Sequence, residues 1–176
     1  MNYADIKQFD VANGPGVRVS VFVSGCPHAC PGCFNKEAWD FNYGKPFTDE
    51  TIEYIIGLLS FSHYKGITFL GGEPFAASNQ EGLLRLAKKV KETYPDKTIW
   101  CFTGYDFEKE IMKEMYDKWP YTKELLSYID VLVDGRFVES KKDLGLRFKG
   151  SSNQRTIMVQ ESLDSGTIVL WDFEAD

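Results

Sequence analysis

Three cysteines within eight residues, Cys26, Cys30 and Cys33 in the string Cys-Pro-His-Ala-Cys-Pro-Gly-Cys, directly follow an apolar run from Val17 to Ser24. Pairing two of these thiols would leave one over, so a disulfide framework does not account for them. Three soft thiolates suit a metal ion or an iron–sulfur cluster instead. The C-x3-C-x2-C order differs from the C-x2-C pairs of structural zinc and from the C-x4-C-x2-C run of plant-type ferredoxins. Two alternatives stay open at this point: a zinc site completed by His28, His63 or Cys101, and an electron-carrying cluster with Cys101 as fourth ligand. His28 is poorly placed as a ligand. Lying between two of the cysteines, it would need a tight chain reversal, and it is expected to face solvent or to hydrogen-bond beside the centre. Cys101, inside Thr98-Ile-Trp-Cys-Phe, reads as a small buried thiol.

A second string, Gly71-Gly72-Glu73-Pro74, follows a later apolar run. Paired glycines let the backbone approach a ligand closely, although Gly-Gly before Pro is also an ordinary end to a strand. Arg18 reads equally well as an anion contact or as an exposed residue of an alternating strand. Asp134-Gly135 reads as a pocket edge or a turn. Trp39, Phe41, Tyr43 and Phe47 could shield a centre in the cysteine loop or simply fill the core.

These strings need elements to hold them. Residues 17 to 23 read as a buried strand, and Thr48 as the cap of a helix with Ile52, Ile55, Ile56 and Leu59 on one face. Gly66 to Leu70 is the next strand. Ser78-Asn-Gln-Glu81 has capping-box spacing ahead of Leu83, Leu86, Ala87 and Val90, in a helix ending near Pro95. Thr98 to Phe102 and Ile129 to Val133 are further strands. Between them Phe107, Ile111 and Met115 form one helical stripe, and Pro120 starts another helix. Strands separated by helices predict a mostly parallel sheet of four or five strands, too short a series for eight βα units. The expected fold is therefore α/β, a partial, open (β/α) barrel. Ligands of parallel sheets gather beyond the carboxyl ends of the strands, and the cysteines, Gly71–Pro74, Thr103-Gly104-Tyr105 and Asp134-Gly135 all fall there.

The chain has 176 residues, 43% of them apolar, which suits one domain. Residues 156–176 form an extension in which Thr167 to Phe173 reads as a strand. A net charge of −6 with no long basic block argues against a nucleic-acid or anionic-membrane surface. No signal peptide or run of about 20 apolar residues is apparent, so a cytoplasmic location is expected, where four cysteines serve as ligands or buried thiols.

The cysteine spacing, followed one strand–helix unit later by Gly71-Gly72-Glu73-Pro74, resembles the radical S-adenosylmethionine (SAM) superfamily. The resemblance implies that Cys26, Cys30 and Cys33 hold three irons of a 4Fe-4S cluster whose fourth iron is chelated by the amino and carboxylate groups of SAM. It also implies that Gly71, Gly72, Glu73 and Pro74 bind the aminoacyl end of SAM, the glycines by backbone contacts and Glu73 by orienting the motif. Gly32 stands where many members carry an aromatic residue near the adenine, so the backbone of Gly32 and Phe34, with the Phe34 ring, is expected to take that place. The flanks, Asn13-Gly14-Pro15-Gly16-Val17-Arg18, Phe22 to Cys26 and Pro31 to Asn35, resemble the glycyl-radical activases. Within these, Thr103-Gly104-Tyr105, Asp130 to Phe137 and Gly150 to Gln154 resemble the group acting on anaerobic ribonucleotide reductase, over roughly residues 1 to 155. That group implies an oxidoreductase that accepts an electron from a donor such as flavodoxin. It cleaves SAM to methionine and a 5′-deoxyadenosyl radical and generates a glycyl radical on the large reductase subunit. No catalytic residue is implied beyond the cluster ligands, since the cofactor carries the chemistry.

Overall fold

The computed structural model describes residues 1–172. Seven strands form one open sheet: β1 (Asn2–Asp10), β2 (Val17–Val23), β3 (Lys45–Pro46), β4 (Tyr64–Gly71), β5 (Thr98–Phe102), β6 (Val131–Asp134) and β7 (Arg155–Met158), in the order β3-β1-β2-β4-β5-β6-β7. The central β2, β4, β5 and β6 are parallel, as expected. The flanks correct the expectation of a mostly parallel sheet, because β1 pairs antiparallel with both β2 and β3, and β7 pairs antiparallel with β6.

Along β2 the side chains alternate between two buried faces. Val19, Val21 and Val23 pack in the main core with Ile67, Phe69, Ile99, Cys101 and the helices α1 (Asp49–Leu58) and α2 (Ala77–Thr93). The opposite face carries Arg18, Ser20, Thr68 and Trp100, all essentially inaccessible. Arg18 is neither an exposed residue nor an anion contact. Its guanidinium donates to Thr68 Oγ1, Pro15 O, Thr98 Oγ1, Ile67 O and Thr98 O at 2.8–3.2 Å and lies 5.9 Å from the Trp100 ring centre. Carbonyl and hydroxyl oxygens thus satisfy a buried cation with no carboxylate in contact, while burial lowers its pKa to about 10.

Helix α1 begins where the sequence predicts, with Thr48 and Thr51 forming a reciprocal cap. Helix α2 does not use the Ser78–Glu81 spacing: it starts at Ala77 without a side-chain cap, and both Ser78 and Glu81 point to solvent. Asn79 and Gln80 are buried there instead. The Asn79 amide donates to Ser24 O and Glu73 O, and the Gln80 amide to Phe75 O, tying the helix start to two loops. The segment Phe107–Met115 is helical with five-residue hydrogen bonds, Ile111 N–H to Asp106 O and Tyr116 N–H to Ile111 O, and buries Phe107, Ile111 and Met115. Helix α3 (Thr122–Tyr128) follows Pro120, and α4 (Val159–Ser165) follows β7.

Beyond α4 the chain returns antiparallel along β7, with Met158 N–H donating to Val169 O and Trp171 N–H to Thr156 O. It therefore extends the sheet edge, although Phe173 of the expected strand lies outside the described residues. Trp171 also covers the second face, its ring edge-on to Trp100 at 5.0 Å and tilted against Phe148 at 5.8 Å.

Candidate active site

The rim at the carboxyl ends of the parallel strands holds every loop that the sequence singled out. Gly71 continues β4 beside Val23, and there the backbones approach closely: Gly72 N–H donates to Val23 O at 2.8 Å, and Glu73 N–H to Gly25 O at 2.7 Å. A Cβ on Gly72 would lie 2.5 Å from Gly25 O, so only glycine lets the two loops meet. The Gly72 amide is thus committed to the end of β2, and the Glu73 amide to the start of the cysteine loop. Pro74 and Phe75 are buried, and the turn leads straight into α2.

Glu73 is fully buried, and its carboxylate gathers three loops. Oε1 accepts from Gly104 N–H at 2.7 Å and faces His28 Nε2 at 2.7 Å; Oε2 accepts from Phe75 N–H at 2.8 Å and Thr103 Oγ1 at 2.7 Å. The His28 side chain is only 4% exposed, which corrects the reading that it could face solvent. Its Nε2 is engaged by Glu73. His63 precedes β4 at the amino end of the sheet, the end opposite the cysteine loop, among the rings of Phe9, Phe61 and Tyr64. Cys101 points into the main core, where burial raises its thiol well above the usual range. Neither His63 nor Cys101 stands with the cysteines.

Cys26, Cys30 and Cys33 are half-buried free thiols. Asn35 N–H donates to the Cys33 sulfur at 3.5 Å, and the neighbouring backbone of His28 and Ala29 at Cys26 and of Phe137 at Cys30 favours the thiolate form. Burial still dominates in the free thiol, pushing Cys26 up to about 11 and raising Cys30. Such contacts favour the thiolate that an iron ligand must be, so the donor set fits an iron–sulfur cluster. Among the described residues no three His, Cys, Asp or Glu side chains close on a single metal ion. A cluster asks for something different, each thiolate on its own iron. The loop turns through positive φ at Gly25, Ala29 and Gly32, and the Gly32 turn lies against Glu139, where a Cβ would meet Cδ at 2.9 Å.

Phe34 is 66% exposed, lies 5.7 Å from the Phe137 ring and is covered by Lys142 at 4.8 Å. With Asn13, Phe102, Phe148 and Gly150 it borders a cavity of about 450 Å³ on the second face of the sheet. The aromatic group after the cysteine loop divides: Phe47 is core, while Phe41 and Tyr43 are about two-fifths exposed, Phe41 against Gly25.

The rim continues past β5 and β6. Arg136 pairs with both oxygens of Glu110 at 2.7 and 3.0 Å and lies over Tyr105, whose phenol burial pushes up to about 12. Asp134, nearly inaccessible, accepts from Phe107 N–H and pairs with Arg155, so it anchors the start of the preceding helical segment Phe107–Met115 rather than lining the cavity. Sequence reasoning missed the His28–Glu73–Thr103 connection, whose signal was the type of the residues alone: a His among cysteines, a Glu in the glycine motif and a Thr at a strand end.

Residues 12–157 match the model of the 4Fe-4S single cluster domain family. The chain is 42% identical over 156 residues to an anaerobic ribonucleoside-triphosphate reductase-activating protein of Vibrio cholerae, covering 88% of this chain and 96% of the relative. It is 40% identical, with the same coverage, to the protein of that name in Escherichia coli K12. With the one in Enterobacteria phage T4 it shares 39% over 155 residues, 88% of this chain and 92% of the relative.

Proposed function

Since the chain belongs to the 4Fe-4S single cluster domain family and to the anaerobic ribonucleoside-triphosphate reductase-activating proteins, we propose that it is a radical SAM activase that generates a glycyl radical on the large subunit of an anaerobic ribonucleotide reductase. A 4Fe-4S cluster, once reduced by the donor, would supply the one electron that splits SAM into methionine and the 5′-deoxyadenosyl radical, and that radical would take a hydrogen atom from the glycine and leave as 5′-deoxyadenosine. Cys26, Cys30 and Cys33 would hold the cluster, with the backbone of His28, Ala29 and Phe137 favouring the thiolates of the first two against their burial and Asn35 N–H donating to the sulfur of the third.

The observation that carries this reading is the seam between the cysteine loop and Gly71–Pro74, two loops joined by Gly72 N–H to Val23 O and Glu73 N–H to Gly25 O. Gly71 and Gly72 approach SAM by backbone, Gly72 through its carbonyl because its amide is taken. Glu73 holds the loop's shape, and Pro74 fixes the turn into α2. Phe34, with the Gly32 and Phe34 backbone, borders the adenine end. The cavity beside Phe34 and Phe102, also lined by residues of the 143–150 segment, offers room beside that end. The sheet is read as the partial barrel of the radical SAM type. The electron donor, flavodoxin or a protein like it, and a cytoplasmic setting belong to the same proposal. Among the described residues no helix is long and apolar enough to cross a membrane.

The test is anaerobic reconstitution with iron and sulfide, reduction, and assay for 5′-deoxyadenosine from SAM, with Cys30→Ser alongside. Deoxyadenosine from the wild type alone, and a glycyl radical signal once the reductase is added, are the expected results. A reconstituted cluster that never cleaves SAM would sink the proposal.

A further inference from the structure

Resting on that reading, we propose that His28 is a positioning residue: its ring is the strut that holds the cysteine loop in register with the loop of Gly71–Pro74. The ring is enclosed, with 4% of the side chain exposed, Nε2 at 2.7 Å from Glu73 Oε1 and its plane edge-on to Tyr105 at 4.5 Å. Both Glu73 oxygens already accept, from Gly104 N–H, Phe75 N–H and Thr103 Oγ1, so the arrangement assigns Nε2 the donor role. Gly104 makes room for the ring, since a Cβ there would stand 2.5 Å from His28 Cδ2.

Glu73 then holds four donors on two oxygens, from the cysteine loop, from its own turn and twice from the loop after β5. That fills the acceptor capacity of a carboxylate, leaving no lone pair directed at a ligand. Glu73 therefore acts on SAM through the loops it joins. His28 is the one side chain that brings the cysteine loop into this junction.

The loop also needs a strut. Ala29 takes φ 50°, a left-handed conformation that a residue with a Cβ avoids, immediately between His28 and Cys30. That turn lies between two cluster-ligand positions, Cys26 and Cys30. Anchoring His28 on Glu73 holds the strained turn in place, so the ring sets the shape of the loop between two ligands.

The test compares wild type, His28→Gln and His28→Phe after anaerobic reconstitution, by iron content and by titrating the electron paramagnetic resonance signal of the reduced cluster with SAM. Glutamine can still donate to Glu73; phenylalanine fills the space and cannot. All three should carry equal iron, since the cysteines are intact. His28→Gln should respond to SAM as the wild type does, and His28→Phe should need roughly tenfold more. In the cluster-free chain, amide exchange over residues 26–33 should be about tenfold faster in His28→Phe. A wild-type SAM response in His28→Phe overturns the inference. Should His28→Phe fail to take up iron, Thr103→Val decides, because it removes a Glu73 donor outside the loop: a weakened SAM response supports the junction, and an unchanged one overturns it. A wild-type cluster indifferent to SAM would instead overturn the functional reading beneath it.

Discussion

Cys101 shares its residue type with Cys26, Cys30 and Cys33 and nothing else. It lies in the main core on the face away from Trp100, and burial keeps it protonated far above neutral pH. Cys101→Ser should therefore retain full iron after reconstitution, whereas serine at position 26, 30 or 33 should lose most of it, as iron analysis would show. Arg18 sets a different expectation. Its donors serve five oxygen contacts in a closed interior, so Arg18→Ala leaves carbonyls unsatisfied and should lower stability by about 3 kcal/mol in urea unfolding of the cluster-free chain. Glu110 predicts a pH effect. Arg136, hydrogen-bonding both oxygens, holds its carboxyl down at about 2 against the ordinary 4.5. A depressed carboxylate stabilises fully above its unfolded value, so the pair's contribution should be intact above about pH 4.5 and lost as pH falls toward 2. A carboxyl NMR titration of the cluster-free protein should put the Glu110 midpoint well below those of exposed glutamates. Arg136→Gln should bring it back toward 4.5.

At the scale of elements, the two candidate caps separate what sequence can and cannot say. Thr48→Ala should cost about 1 kcal/mol, because the threonine pair closes the first turn of α1, while Ser78→Ala should be neutral within the error of thermal melts. The Ser78 spacing was right and its context wrong: α2 begins at a loop already fastened by Asn79 and Glu73, so its start needs no hydroxyl cap. The buried central strands were legible because continuous apolar runs bounded by glycine leave little choice, and β5 spans the residues that its pattern predicts. Strand β1 was illegible. Two register irregularities, between Tyr3 and Asp5 and between Lys7 and Asp10, break its alternation, and Phe9 is 66% exposed. Strand β7 and helix α4 span four and seven residues, too few for a period to emerge. Phe107, Ile111 and Met115 announced a helix, but a spacing of four does not tell 3.6 residues per turn from the wider winding seen. The rim loops could be assigned to strand ends, yet their mutual contacts depend on how parallel strands bring distant segments side by side.

Across the whole molecule, the four parallel strands send their loops to one rim, and the antiparallel flanks close the sheet's sides without adding loops in the middle of that rim. The chain after β7 seals the second face by laying Trp171 on Trp100 and Phe148. Trp171→Ala should lower stability by about 2 kcal/mol in denaturant while leaving iron content unchanged, because the tryptophan covers the sheet far from the thiols in sequence and outside the residues matched to the cluster family. Loss of iron in that variant would show that the cover also shapes the cysteine loop. The antiparallel course of β1 carries a practical consequence. It starts beside the end of β2, where Asn2 O accepts from Ser24 N–H and Met1 O from Phe47 N–H. Anything joined ahead of Met1, such as a purification tag or a fluorescent fusion, would leave the protein from the base of the cysteine loop and crowd the face a large protein substrate must reach. An assay on such a preparation could report poor turnover from an otherwise sound enzyme.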